Sequence, residues 1–225
     1  MDRTVARLNV EHFRHLLEQH KLSERIFAQI RTLLEQKRLL LKSGTIVDAT
    51  IIAAPPSTKN AEGARDPEMH QTRKGKDWHF GMKAHVGTDR RGIVHSLTTT
   101  AANIHDSTQM PQLLHGQERE VFGDQAYWNE SHRKSARAMD IRYRINRRPN
   151  QRPLTPYQRQ INRTRSRARA RCEHIFHVVK RLWGFSKVRY RGLAKNTARL
   201  FTAFALANPY LLRRRLLPPR WTCPC

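Results

Sequence analysis

The stretch "TIVDATIIA" (residues 45–53) decides how this chain folds. It is dense in β-branched residues, too short for a helix and set off by Ser43-Gly44, so it reads as a buried strand. Asp48 interrupts its apolar run. A carboxylate buried there is costly unless it is paired or bound to a cation. The alternative is a residue facing the edge of the sheet.

Upstream, residues 9–41 place apolar side chains three and four apart, the helical spacing, with Ser23 of "KLSE" as a candidate N-cap. Downstream, residues 55–77 hold almost no apolar side chain and read as a long mobile loop. Residues 78–89 and 92–102 make a hairpin around Arg90-Arg91-Gly92. A helix from about 106 to 115, a strand at 119–127, a helix at 129–139 and a strand at 141–146 follow. A long helix over roughly 155–183, a short strand at 186–192 and a last helix at 196–212 complete the order. This succession predicts an α/β fold, a mixed sheet with helices packed on it.

The 225 residues suffice for one domain with appendages. Lys and Arg number 43 against 18 Asp and Glu, a net charge of +25. Such a field draws polyanions, and nucleic acid is the commonest. An anionic membrane surface is the rival, but no run of ~18 apolar residues exists to span a bilayer. The opening "MDRTVARLNVEHF" lacks the apolar segment of a signal peptide. The odd count of three cysteines fits reduced thiols in the cytosol, and the terminal "WTCPC" reads as an irregular end.

After Asp140 the chain holds a single acidic residue, Glu173, inside "RSRARARCEHIFHVVKRLWGF" (165–185). At about 100° per residue, Cys172, Ile175, Phe176, Val179, Leu182 and Trp183 form one apolar stripe, and Arg169, Glu173 and Lys180 line its edge. An Arg169–Glu173 ion pair is one reading, worth a few tenths of a kcal/mol. It leaves unexplained why every other acid is gone. In "VFGDQAY", Asp124 closes a strand and points into a crevice at its end, or else begins a turn. Two strand aspartates and a helix glutamate are what phosphoryl transfer with two divalent ions requires, and basic neighbours would hold the phosphates.

The chain resembles the DDE transposases of bacterial insertion sequences, specifically the family named after insertion sequence five. The likeness is carried by residues 39–60, 66–89, "TTAANIHDSTQ" (99–109), "FGDQAY" (122–127) and 169–196, and runs from about Phe13 to Leu212. It implies an RNase H-like mixed sheet flanked by helices, a catalytic and metal-binding triad of Asp48, Asp124 and Glu173, and two Mg²⁺ ions for which Mn²⁺ can substitute. It implies terminal inverted repeats and target DNA as partners, a homodimer at work, no membrane, and a cytoplasmic, nucleoid-associated protein. In related enzymes the glutamate helix carries Tyr, Arg, Glu and Lys separated by two, three and six residues. Arg169, Glu173 and Lys180 match; Ser166 stands at the tyrosine position. Arg169 and Lys180 would contact phosphates beside the cut, and Lys74, Lys76, Lys83 and Arg171 are further candidate DNA contacts.

"ANIHD" supplies Asn103, His105 and Asp106, as support around the triad or with Asp106 capping the next helix. His85, His95 and His105 fit no zinc-finger spacing. Trp78 and His79, beside Lys74 and Lys76, suit base stacking, and the competing reading starts a core strand at Trp78. The expected organisation is an N-terminal helical segment over 1–42, part of a DNA-end-binding region that is longer in the family. A catalytic domain over 43–212 and a basic irregular tail over 213–225 follow. The alternatives are a non-catalytic nucleic-acid-binding protein and an inactive transposase remnant.

Overall fold

The computed structural model describes residues 12–59, 61, 63–149 and 153–217. After a helical stretch at 12–19, helix α1 spans Leu22–Gln36. Its N-cap is Lys21, with φ 49°; Ser23 lies inside the helix, buried, and accepts a hydrogen bond from the Thr202 hydroxyl at 3.1 Å. The expected capping serine is thus a packing contact. The helical pattern does not carry through to residue 41, because Arg38 (φ 54°) turns the chain toward the sheet.

Among the described residues, six strands form one sheet: β1 (Gly44–Ala53), β2 (His70–Lys74), β3 (Asp77–Thr88), β4 (Val94–Ala101), β5 (Glu120–Gly123) and β6 (Arg142–Ile145). β1 is central, antiparallel to β3 and parallel to β5, and β5 is parallel to β6. β2 and β4 both pair with β3, over its residues 77–81 and 82–88. An antiparallel half thus continues into a parallel half, the mixed sheet that the succession of elements predicts. The segment expected as a loop over 55–77 contains β2: "HQTRK" is polar because both its faces are largely exposed, so its sequence lacks the alternation that marks a half-buried strand.

Helices cover both faces. Short α2 (Met110–Leu113) follows a 3₁₀ turn at Asp106–Gln109; α3 is Glu130–Ala138, α4 Pro156–Arg169, α5 Arg171–His177 and α6 Leu193–Leu216. Ile46 and Ile52 of β1 join Val86, Cys172, Ile175, Leu200 and Phe204 in the larger core. Val47, from the opposite face, packs with Met110, Leu113, Val121, Tyr127 and Ile145. α6 is fixed to the sheet by buried Asn208, whose side chain accepts from the Val94 amide (2.9 Å) and donates to the Val94 carbonyl (2.7 Å).

Three further expectations are corrected. The long helix breaks at Ala170 and ends in a π-type turn at Val178–Leu182, which rotates Leu182 out of the expected stripe, to 54% exposed. Residues 186–192 form no strand, only an isolated bridge from Lys187 to Ala53. The last helix runs on to Leu216, so 213–216 belong to it and not to an irregular tail. Cys223, Cys225 and residues 1–11 lie outside the described residues.

Gly92 links the β3–β4 turn to the glutamate helix. Its φ is 86°, and a Cβ there would lie 2.4 Å from the Arg171 carbonyl oxygen. Gly92→Ala therefore combines positive-φ strain with backbone overlap, roughly 2–4 kcal/mol together. Gly116→Ala, with a φ of 84° and nothing within 4 Å, carries the strain alone. Thermal melts should show Gly92→Ala several degrees below Gly116→Ala; equal midpoints would mean the turn does not brace the helix.

Candidate active site

The parallel ladder between β1 and β5 is short. It pairs Gly44 with Glu120, Thr45 with Val121 and Ile46 with Phe122, and goes no further. Asp48 and Asp124 each lie two residues beyond the last pair, so the register brings both aspartates to the point where the strands part. Such a parting, at the carboxyl ends of parallel strands, is where open α/β sheets form their crevices.

Asp48 continues the alternation of Ile46, toward the helices, and is 8% exposed. One carboxylate oxygen accepts from the Ala49 amide at 2.9 Å and the other from Arg169 Nη1 at 2.8 Å. Burial pushes its pKa up to about 6, and the Arg169 charge only partly offsets that. The Asp124 carboxylate adds to the rise. Asp124 is also the N-cap of a 3₁₀ turn at Gln125–Tyr127, its Oδ1 accepting from the Ala126 amide at 2.8 Å. The turn-starting reading of this residue is the one its hydrogen bond shows.

Arg169 ends α4. Desolvation lowers its pKa, but the Asp48, Asp124 and Glu173 carboxylates outweigh it and hold the group above the ordinary guanidinium value. Its Nη2 lies 3.9 Å from Glu173 Oε1, while Nη1 holds Asp48. The Glu173 side chain is 66% exposed. Among the described residues, no three His, Cys, Asp or Glu side chains are already gathered as a metal cage. The positive charge at the centre of the three acids belongs to Arg169.

This arrangement fits a hard divalent cation in its donor chemistry: carboxylate oxygens from two adjacent strand ends, one of them buried and balanced only by a side chain that can turn away. α4 is held at the right height by the end of β6. Asn146 Nδ2 donates to Ser166 Oγ (2.9 Å), Arg165 Nη1 to the Ile145 carbonyl (2.6 Å), and Asn162 exchanges two 3.0 Å bonds with the Arg147 backbone. Ser166, at the position where a tyrosine was expected, is thus part of the helix anchor.

The other candidates separate. Lys180 donates to Thr50 Oγ1 (3.0 Å) and the Ile51 carbonyl (2.9 Å); burial, with Lys74 and Arg181 near, lowers its pKa. It is tied to β1. Lys83 is turned away from any surface ligand, donating to the Ile104 carbonyl and to Asp106, each at 2.8 Å. Asp106 therefore does not cap the following turn; His105 does, its Nδ1 accepting from the Ser107 amide at 3.3 Å. Lys74, Lys76, Arg171, Asn103 and His105 are exposed.

Trp78 lies at the start of β3, whose Met82, Ala84 and Val86 enter the core as the competing reading has it, but its own side chain is 67% exposed, opposite Arg73 of β2. His85 and His95 are buried, and desolvation lowers their pKa values to about 4 and about 3. Cys172 is buried and its thiol is pushed well up, first by burial, so it is no nucleophile.

Sequence reasoning missed Tyr127. Its ring packs under the sheet while its hydroxyl is buried without a partner; burial, then Asp106, Asp48 and Asp124, raise its pKa well above the usual phenol value. Its place directly after "FGDQA" was the available signal.

The folded pKa of Asp48, about 6, lies above its ordinary 3.8, so the native state holds the extra proton between those values. Its contribution to stability falls as pH rises through that window and stays low above it. Asp48→Asn should therefore stabilise the metal-free protein by on the order of 2 kcal/mol near neutral pH, with the gain vanishing near pH 4. Melting curves at the two pH values test this; an equal effect at both would contradict a buried, destabilising carboxylate.

Residues 39–208 match the family profile described as the transposase DDE domain. Among solved structures, a chain of the Mos1 strand transfer complex shows a distant likeness: 14% identity over 86% of this chain and 59% of that one, with a TM-score of 0.36. This chain thus spans less than two thirds of that chain's length.

Proposed function

The chain belongs to the transposase DDE-domain family, and from that membership we propose that it cuts DNA at the ends of an insertion sequence and joins them to target DNA, as an enzyme of the insertion-sequence-five type. The observation that carries the reading is the shared register of Asp48 and Asp124 at the parting of β1 and β5, with Arg169 reaching from Asp48 to Glu173.

In this reading Asp48, Asp124 and Glu173 would hold two Mg²⁺ ions, with Mn²⁺ as a substitute. The chemistry such a pair supplies is activation of the attacking oxygen and neutralisation of charge on the leaving one. Glu173, largely exposed, has the freedom to swing inward once Arg169 lets go of Asp48. Arg169, released, faces the phosphate that replaces the carboxylate as its partner. In the first step a water oxygen would bond to phosphorus as the bond to the strand's 3′ oxygen breaks, the water's proton passing through solvent to that oxygen to leave a 3′-hydroxyl and a 5′-phosphate. In the second that 3′-hydroxyl would attack a target phosphodiester, losing its proton to solvent, as the target strand's own 3′ oxygen leaves and takes up a proton. No protein nucleophile is needed, in keeping with the inert Cys172.

Lys74, Lys76 and Arg171 supply exposed charge for the DNA backbone, and Lys180 closes the crevice beside them. Trp78, projecting among Arg73, Lys74 and Lys76, offers a face on which an unpaired base stacks. Asp106 and Lys83 support the site from beneath as an internal pair. Two copies would act on paired ends in the cytoplasm. Among the described residues no helix is long and apolar enough to cross a membrane.

The test is nicking of supercoiled plasmid carrying the element's ends, with Mg²⁺ or Mn²⁺. Asp48→Asn, Asp124→Asn and Glu173→Gln should each lower it at least 100-fold while DNA retention changes little. Nicking that survives all three would refute the triad; a wild type that binds and never nicks would leave a cationic DNA binder. In the same preparations, Trp78→Ala should weaken single-strand binding by roughly 5–100-fold, with Trp78→Phe nearer wild type.

A further inference from the structure

One turn before Arg169 on α4, Arg165 borders a cleft of about 270 Å³ between α3, β6 and α4. Arg133, Arg137, Arg142 and Arg147 share its lining with Trp128, and the only carboxylate among the lining residues is Asp140. Arg133 is already bonded to Glu130, at 2.7 Å, and Arg142 lies 3.6 Å from Glu120. Arg137, Arg147 and Arg165 have no carboxylate within ion-pair distance among the described residues. Arg165 Nε is buried without a partner, and burial together with the charges of Arg147 and Arg144 lowers the Arg165 pKa.

The Arg137 and Arg147 side chains take no part in fastening α4 to the sheet. α4 is fastened to β6 by Asn146, by the Arg147 backbone and by a single nitrogen of Arg165. The residues Arg137 and Arg147 are exposed. A concave surface that gathers like charges and leaves them uncompensated gains from an anion. Its place one helical turn from Arg169 sets the kind of anion. Four residues of helix separate Arg165 from Arg169, about 6 Å, close to the axial advance of two nucleotides at roughly 3.4 Å each.

We propose that this cleft seats a backbone phosphate of the same DNA strand that enters the carboxylate site. The inference rests on the DNA-cutting reading above and adds to it a phosphate seat outside the glutamate helix's own Arg-Glu-Lys set. Arg165 forms the floor, with Arg137 and Arg147 as the two walls that close on the phosphate oxygens.

The test uses the full chain, a fluorescein-labelled duplex of arbitrary sequence and no divalent cation, with affinity read by anisotropy across a salt series. Arg137→Gln/Arg147→Gln should weaken binding about 10-fold and reduce the slope of log K against log [salt] by about 1–2. Arg137→Lys/Arg147→Lys should keep most of the slope. Arg214→Gln/Arg215→Gln removes the same charge from the exposed end of α6 and should shift affinity less than 3-fold. Equal losses in the two Gln pairs, or wild-type binding by the cleft pair, would overturn the proposal. Because cleavage is not read, the two ideas fail separately. A wild type that never nicks, with affinity still lost in the cleft pair, removes the enzyme and keeps the seat. Carboxylate-dependent nicking with an unaffected cleft pair does the reverse.

Discussion

The contact on which the site depends is the 2.8 Å bond between Arg169 Nη1 and Asp48 Oδ2. It joins the last residue of α4 to the central strand at the place where β1 loses its parallel neighbour. Without a cation, a carboxylate placed there would meet the charge of Asp124, and like charges would push the strand ends apart. The guanidinium resolves this by standing among three acids at once. The same side chain thereby fixes how far the glutamate helix can lie from the sheet.

Stability and chemistry pull in opposite directions at this point. A strand of Thr, Ile, Val and Ala would pack better with an apolar residue at 48, and burial of the carboxylate raises its pKa toward neutrality. The fold tolerates that because the surrounding framework is strong. Ile46 and Ile52 are fully buried on either side of Asp48, and Asn208 stitches α6 to β4 with two bonds. The acid can be kept charged by Arg169 in one state and by a divalent ion in another, and exchanging the two need not disturb the core.

Much of this was legible in the sequence, for identifiable reasons. The β-branched run at 45–53 and the short strand before Asp124 announce themselves because their side chains are buried, and hydrophobicity then records the structure. What escaped was structure without that record. β2 is polar on both faces, so it read as loop. Ser23 has the chemistry of a cap but is used for packing against Thr202. Lys83 looked like a DNA contact because its charge is visible in the sequence while its partner, Asp106, comes only after the neighbouring strand β4. The arginine cleft could not be read at all. Its members come from α3, β6 and α4, and only the fold brings Arg137, Arg147 and Arg165 to one surface.

Whether Arg169 holds the place of a cation is best settled by anomalous diffraction from crystals soaked in Mn²⁺. The account predicts a peak about 2.1 Å from oxygens of both Asp48 and Asp124, with the Arg169 guanidinium swung away from Asp48. A map with no peak at saturating Mn²⁺, and with the Arg169–Asp48 bond intact, would contradict it.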